Sequence, residues 1–160
     1  NAALAVETIR IFDQNIKTEV IKKGLKTVIW PGRFQRISER LYYDVAHNEK
    51  GIECLIQTLK AIFHSRPIAG LFCLKGDKEM DLLAKQMKNK FIELYVSSDV
   101  NGLLLDAKYL SKKLNYKGVR NTSVDSVLNG INRLEAQIQK GAVGIIFGSH
   151  YIAEDVYSRN

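Results

Sequence analysis

An arginine and a group of polar side chains stand close together in the first third of this chain. Arg33 lies in the segment Trp-Pro-Gly-Arg-Phe-Gln at 30–35, where a glycine can hinge a loop, and the segment Asp-Val-Ala-His-Asn soon afterwards carries Asp44, His47 and Asn48. An arginine can form bidentate bonds to phosphate or carboxylate, and an aspartate can accept hydrogen bonds from ribose hydroxyls. These residue types indicate a site for an anionic, hydroxyl-bearing ligand such as a nucleotide.

The hydrophobic pattern predicts that this group lies where a strand gives way to a helix. An apolar and aromatic run at 41–43 precedes it, and apolar residues at helical spacing follow over 51–63. Asn48 is then the expected N-cap, and Asp44 lies at the carboxyl edge of the sheet, where ligands bind in open α/β folds. The alternative interpretation is that Asp44 and Asn48 only cap the helix while Arg33 faces solvent.

Helices and strands are expected to alternate along the rest of the chain. Helices are predicted at 2–14, 18–25, 51–64, 78–88, 102–114 and 123–140, with a closing helix from Tyr151. Strands are predicted at 27–30, 34–38, 41–43, 68–74, 91–96 and 143–147. This order favours one domain with a mostly parallel sheet that is covered by helices on both faces.

Polar, glycine-bearing turns follow two of the other predicted strands. Lys75, Gly76, Asp77 and Lys78 come after one strand, and Ser149 and His150 follow the last one; Lys75, Lys78 and Ser149 would supply a positive rim and a hydroxyl. Because parallel strands bring their carboxyl ends to one edge, these turns are expected to line the same cleft as Asp44. The alternative is that Asp77 and Ser149 are ordinary helix N-caps.

Composition narrows the classes of partner and compartment. The chain has 160 residues, 46% of them apolar, and a net charge of +7. The basic residues are scattered along the chain. The preferred interpretation is that they form a solvated surface, and the next is that their charge attracts anionic small molecules. Nucleic acid ranks last, because no zinc finger or recognition helix is evident. No membrane span or secretory signal is evident, and two scattered thiols suit a reducing compartment, so a cytoplasmic protein is predicted. Cys54 and Cys73 are expected to be buried thiols. Without a Cys/His cluster, structural zinc is not expected.

The common phosphate-binding loops are absent from the sequence. Neither G-x-x-x-x-G-K-[ST] nor G-x-G-x-x-G occurs, although 24–27 resembles the first superficially. A triphosphate cradle, if this is part of an enzyme, is therefore expected outside this chain. The first residue, Asn1, agrees with a fragment of a longer protein.

Several segments in this order resemble one family. They are NAALA at the start, WPGRFQ, DVAHN, LKGDKE and FGSHY near the end. Together they resemble the C-terminal domain of folylpolyglutamate synthases, including the bifunctional dihydrofolate synthases, in the Mur ligase superfamily. The resemblance implies a three-layer, doubly wound, Rossmann-like sheet spanning 1–160. It also implies that 1–25 is a helical lead-in from a central ATPase domain that this chain lacks.

The resemblance also assigns residues by their place in these motifs. It implies that Asn1, Arg33 and Asp44 contact ATP.

A second set would shape the substrate cleft: His47, Asn48, Lys75 and Ser149. His47 is the only candidate for a catalytic group, and no metal ligand is assigned. The sequence departs from the family pattern at Glu49, where proline is usual, and at Gly76, which leaves the roles of Lys75 and Asp77 open.

The implied reaction is ATP-dependent amide formation. A folate or dihydropteroate carboxylate would be activated by ATP as an acyl phosphate, releasing ADP. The amino group of L-glutamate would then attack the acyl phosphate, forming the amide and releasing phosphate. Mg²⁺ would be held by the central domain, and the full-length protein is expected to be a monomer. Two other classes stay open: a non-catalytic nucleotide- or partner-binding module of flavodoxin-like fold, and a receiver-type switch with Asp44 as phosphoacceptor. The switch ranks low, because the acidic pair that it needs is missing near Trp30.

Overall fold

The computed structural model describes residues 2–76 and 79–158. The chain divides between Pro31 and Gly32 into two compact units. The division lies close to the predicted end of the lead-in at residue 25. The assignment of that lead-in to a central domain stays a prediction.

The first unit contains two helices, α1 (Ala2–Phe12) and α2 (Thr18–Thr27). Helix α1 has no buried side chain, and α2 buries only Ile21. The expected end of α2 near Gly24 and the expected strand at 27–30 are both wrong. The helix tolerates Gly24, and Thr27 Oγ1 donates to the Lys23 carbonyl at 3.0 Å within the last turn. Val28 N–H still donates to the Gly24 carbonyl at 2.9 Å, but the backbone of Val28 is extended, with a ψ of 126°, so the helix ends there and 28–30 is irregular.

The second unit is an alternation of strands and helices. Its strands are β1 (Gln35–Arg36), β2 (Leu41–Asp44), β3 (Ile68–Phe72), β4 (Glu93–Val96), β5 (Thr122–Ser123) and β6 (Val143–Phe147). Its helices are α3 (Glu49–Phe63), α4 (Met80–Met87), α5 (Ala107–Tyr116), α6 (Val127–Gln139) and α7 (Ala153–Tyr157).

The strands form one six-stranded sheet in the order β1-β2-β6-β3-β4-β5. Among the strand pairs of the described residues, only β1–β2 is antiparallel, and β1 is the edge strand that the sequence predicts. The last strand in the chain, β6, lies between β2 and β3 and pairs with both in parallel. The expected doubly wound, mostly parallel sheet is confirmed.

Two hydrophobic clusters cover opposite faces of the sheet. The first joins strand residues such as Phe72 and Phe147 to α3, α4 and α5. The second joins Leu71 and Ile146 to α6 and α7. Neighbouring strand residues point to opposite faces, so both faces are apolar and the strands β3 and β6 are buried along their whole length.

Several boundaries differ from the sequence-based expectation. Helix α5 begins at Ala107 rather than at residue 102, because the Asp99 carboxylate accepts the N–H groups of 101, 103 and 104 and folds that segment as a loop. Strand β5 was not expected, and α6 begins only after Ser126, whose side chain accepts the Asn129 N–H. No helix in the described ranges is long and apolar enough to cross a membrane.

The two cysteines differ in exposure. Cys73 is buried, as predicted, and burial raises the pKa of its thiol to about 12. Cys54 is exposed, so the expectation that it is buried is wrong. It lies in α3 but outside the stripe that the helix buries against the sheet.

Candidate functional site

The carboxyl ends of β2, β6 and β3 lie side by side. Strand β6 enters between β2 and β3 after the chain has crossed to the other face of the sheet, so this is the point at which the strand order reverses. Open α/β sheets bind ligands in the crevice at such a point. Asp44 ends β2, residues 148–151 follow β6, and Lys75 follows β3, so the predicted turns meet at one edge.

The arginine loop is held by backbone hydrogen bonds. Gly32 has a φ of 69°, in the region that favours glycine, and Phe34 follows with a φ of 45°. Val45 N–H donates to the Gly32 carbonyl at 2.8 Å, and Gly32 N–H donates to Gln35 Oε1 at 2.9 Å. Arg33 therefore projects from a tight, fixed turn, and its side chain is exposed.

Asp44 holds that loop through its carboxylate. Its Oδ2 accepts the Phe34 N–H at 2.8 Å, and its Oδ1 accepts the Ala46 N–H at 2.7 Å. Burial raises the pKa of the carboxyl, while the two N–H donors and the Arg33 charge act to lower it. Each carboxylate oxygen has a second lone pair, so Asp44 can still accept hydroxyl donors from a ligand.

Helix α3 begins beside Asp44 as predicted. Asn48 is its N-cap, because the side-chain oxygen accepts the Gly51 N–H at 2.8 Å. His47 Nδ1 lies 2.8 Å from the Val45 carbonyl oxygen. That oxygen can only accept, so Nδ1 carries a proton and Nε2 is the ring nitrogen left for other contacts.

A small cleft of about 70 Å³ lies at the ends of β3 and β6, lined by His47, Lys75 and residues 148–151. Lys75 Nζ donates to the Tyr151 hydroxyl at 2.8 Å and lies 4.4 Å from the centre of that ring. The ring of His150 also packs against the Tyr151 ring, with centroids 4.2 Å apart. The ammonium of Lys75 is thus held at the rim, with two further hydrogens to donate.

The turn after β6 is fixed by the strands beside it. Gly148 has a φ of 108°, and a Cβ there would stand 2.1 Å from the Cys73 carbonyl oxygen. The buried Tyr43 hydroxyl donates to the Ser149 carbonyl at 2.8 Å. Only glycine fits between the two strand ends, so Ser149 is presented to the cleft by a rigid backbone.

Ser149 is not an N-cap of α7. Its Oγ accepts the Tyr151 N–H at 3.2 Å, but α7 begins only at Ala153. Because the oxygen acts there as an acceptor, the hydroxyl hydrogen can still be donated to a ligand. Ser149 therefore does not cap α7, whereas Asn48 caps α3 as predicted.

Some predicted residues lie outside the described part of the chain. These are Asn1, Asp77 and Lys78. Within it, the structure brings Asp44, His47, Lys75 and Ser149 to one edge, with Arg33 close enough for its charge to act on Asp44.

Sequence reasoning missed three supporting side chains: Gln35, Tyr151 and Tyr157. Gln35 and Tyr157 hydrogen-bond to each other, and Tyr151 bonds to Lys75, so each has a partner far away in sequence. Gln35 and Tyr151 stand in the motifs WPGRFQ and FGSHY, and that was the only available signal.

A larger cleft of about 370 Å³ lies at the ends of β4 and β5. Its lining carries four aspartates and one lysine: Asp99, Asp106, Asp125, Asp155 and Lys108. This negative lining disfavours phosphate, so the smaller cleft beside Arg33 and Lys75 is the better candidate for an anionic ligand. Among residues 2–76 and 79–158, no group of three or more histidine, cysteine, aspartate or glutamate side chains could hold a metal.

The sheet and its cleft define an α/β domain with a ligand site at the point where its strand order reverses. The family described as "Mur ligase, glutamate ligase domain" matches residues 32–150, and the chain belongs to this family. The family resemblance drawn from the motifs is confirmed.

The chain is also similar to curated proteins that are named folylpolyglutamate synthases, some of them bifunctional. The chain is 27% identical to the dihydrofolate synthase/folylpolyglutamate synthase of Bacillus subtilis over 99% of this chain and 38% of that protein. It is 30% identical to the folylpolyglutamate synthase of Lacticaseibacillus casei over 60% of this chain and 24% of that protein. The chain thus spans well under half the length of these relatives.

Solved structures share the fold. The folylpolyglutamate synthase of Mycobacterium tuberculosis complexed with ADP and AMPPCP has a TM-score of 0.86 at 22% identity, over 98% of this chain and 39% of that one. Escherichia coli FolC in complex with DHPP and ADP has a TM-score of 0.83 at 24% identity, over 99% of this chain and 39% of that one. At these identities the similarity establishes the three-dimensional fold.

Proposed function

We propose that this chain is the C-terminal part of an ATP-dependent ligase that joins L-glutamate to a folate or dihydropteroate carboxylate. It supplies one wall of the nucleotide site and the glutamate side of the cleft. The observation that carries the proposal is the meeting of Arg33, Asp44, Lys75 and Ser149 around the ends of β2, β3 and β6. The family match over 32–150 and the nucleotide complexes named for similar structures support it.

Asp44 and Arg33 form the nucleotide side of the proposed site. The remaining lone pairs of Asp44 accept the ribose hydroxyls, and the exposed Arg33 guanidinium donates to phosphate oxygens. The hydrogen bond from the Phe34 N–H to the Asp44 carboxylate fixes the loop relative to Asp44 before a ligand arrives. Asn1, implied as a third ATP contact, stays a prediction.

The cleft at the ends of β3 and β6 forms the amino-acid side. Lys75 offers an ammonium to a carboxylate of glutamate, and Ser149 offers a hydroxyl donor. His47 presents Nε2 to the same cleft, where it can accept a proton from the attacking amino group. Asn48 acts indirectly here, since its side chain caps α3 and fixes the backbone that carries His47.

The small size of the cleft at the ends of β3 and β6 supports a site that is shared with a second domain. Ligand pockets usually enclose roughly 300–1,000 Å³, whereas this one encloses about 70 Å³. A nucleotide therefore needs a second wall. We propose that a central ATPase domain of the same protein supplies this wall together with the phosphate loop and the Mg²⁺ ligands, since the described residues offer no metal cluster. Closure of the two domains would exclude water from the acyl phosphate.

The test compares the full-length protein with the 160-residue chain. The full-length protein should release ADP only when folate and L-glutamate are both present, and the chain alone should release none and bind ATP weakly. Glutamate-dependent ADP release from the chain alone would contradict the division of labour. Nucleotide binding by the full-length protein without any glutamate-dependent release would favour the non-catalytic module.

A further inference from the structure

One side-chain oxygen connects the arginine loop to the closing helix. Gln35 Oε1 accepts the Gly32 N–H at 2.9 Å and the Tyr157 hydroxyl at 2.5 Å. Gly32 and Gln35 flank Arg33 on both sides, and Tyr157 is the last residue of α7. The hydrogen bond therefore joins two positions that are 122 residues apart in the chain.

The tyrosine is well placed to hold this oxygen because its own ring is fixed. It packs edge-on against the buried Tyr43, with centroids 6.1 Å apart and an interplanar angle of 79°. Tyr43 is in turn bonded to the Ser149 carbonyl. The hydroxyl of Tyr157 is thus held by the core rather than by solvent-facing contacts.

The loop that receives this hydrogen bond needs such a restraint. Gly32 and Phe34 both have positive φ values, of 69° and 45°, and a non-glycine residue keeps such a conformation only when its surroundings enforce it. The Asp44 carboxylate restrains Phe34 from one side. Gln35, held by Tyr157, restrains Gly32 from the other.

We propose that Tyr157 is a positioning residue for the nucleotide side of the site. Its hydroxyl fixes Gln35, Gln35 fixes Gly32, and the loop then keeps Arg33 beside Asp44. This inference rests on the proposed function, since it assigns to α7 a part in setting the affinity for the nucleotide. Residues 151–157 thereby serve both sides of the site, through Tyr151 at one end and Tyr157 at the other.

Two matched tyrosine substitutions test the proposal in the full-length protein. Tyr157→Phe removes the hydroxyl from the loop, and Tyr151→Phe removes the hydroxyl that Lys75 contacts. Loss of one hydrogen bond corresponds to about a three- to tenfold change in an equilibrium constant. We expect Tyr157→Phe to raise the KM for ATP by this factor and to leave the KM for glutamate unchanged. Tyr151→Phe should raise the KM for glutamate and leave the KM for ATP unchanged. Tyr116 is 89% exposed, and Tyr116→Phe should change neither KM.

A second pair of variants addresses Gln35 itself. Gln35→Leu removes the acceptor and should raise the KM for ATP, with little further effect when Tyr157→Phe is added. Gln35→Glu keeps an oxygen for both donors and should preserve more of the affinity. Additive effects of Gln35→Leu and Tyr157→Phe would overturn the proposed chain of contacts.

Hydrogen exchange of the loop provides a readout that does not need turnover. The amides of 32–34 should exchange several-fold faster in Tyr157→Phe, while core strand amides and the unfolding midpoint change little. Unchanged exchange and an unchanged KM for ATP would overturn the proposal, and so would an equal rise in both KM values. An inactive parent protein would instead refute the proposed function, and the exchange measurement would still decide the role of Tyr157.

Discussion

Substitution of Gly32 by alanine should damage the arginine loop in two separable ways. The φ of 69° disfavours any residue with a Cβ, at a cost of about 1–2 kcal/mol. The added Cβ would also stand 2.8 Å from Val45 Cγ1 and 3.4 Å from Tyr43 Cε1. Valine is stiff at χ1 and cannot easily turn away, so crowding should add about 1–3 kcal/mol. The total expected loss in the free energy of unfolding is about 2–5 kcal/mol.

Gly102 provides the matched control. Its φ is 68°, but a Cβ there would meet nothing within 4 Å. Gly102→Ala should therefore cost only the backbone part, about 1–2 kcal/mol. Chemical denaturation of both variants gives the crowding cost as the difference between them. Adding Val45→Ala should recover part of the loss in Gly32→Ala and none of it in Gly102→Ala.

The Gly32→Ala and Gly102→Ala variants also distinguish an effect on stability from an effect on nucleotide binding. Under conditions where both variants are folded, Gly32→Ala should weaken ADP binding by the full-length protein, because the loop must shift Arg33. Gly102→Ala should bind ADP like the parent. Equal losses of stability in the two variants, or full ADP affinity in Gly32→Ala, would refute the account of the loop.

Two further predictions concern titration and thiol reactivity. Because burial raises the pKa of Asp44, nucleotide binding that needs the carboxylate should be lost as pH falls through this raised value, at a higher pH than for an ordinary aspartate. The folded state should also gain stability from this group as pH falls through that range, since it takes up the proton more readily than the unfolded chain. Arg33→Ala removes a charge that lowers the pKa of Asp44, so it should raise this pKa further. ¹³C NMR of the carboxyl measures the change, and a lowered pKa would contradict the placement of Arg33 beside Asp44. In the native protein a thiol reagent at pH 8 should modify the exposed Cys54 and spare Cys73, whose thiol has a pKa of about 12; modification of Cys73 at an equal rate would show that the end of β3 opens.

The sequence predicts the parts of this fold that depend on local pattern. The strands β2, β3 and β6 are short apolar runs, and Asn48 is an N-cap followed by helical spacing, so their positions follow from adjacent residues. The parallel order then brings Asp44, Lys75 and Ser149 to one edge. Together with Arg33, His47 and Asn48, these are the residues of the candidate site that could be predicted.

Other features depend on contacts that a sequence pattern does not carry. The Gln35–Tyr157 and Lys75–Tyr151 hydrogen bonds join residues 122 and 76 positions apart. Strand β5 has two residues, too few to show an alternating pattern. Helix α2 continues past Gly24 although glycine costs about 1 kcal/mol in a helix, because the last turn has its own hydrogen bonds.

The central claim is that Arg33 and Asp44 hold one nucleotide from the same side. The most direct test is the ADP dissociation constant of the full-length protein carrying Arg33→Ala, measured by calorimetry beside Arg36→Ala. Arg36 is also exposed and lies in the adjoining strand, but its Nε donates to the Ser38 carbonyl. A charge-assisted hydrogen bond to phosphate corresponds to about a tenfold or greater loss of affinity, which we predict for Arg33→Ala alone. Equal ADP affinity in the parent and in Arg33→Ala would contradict the claim.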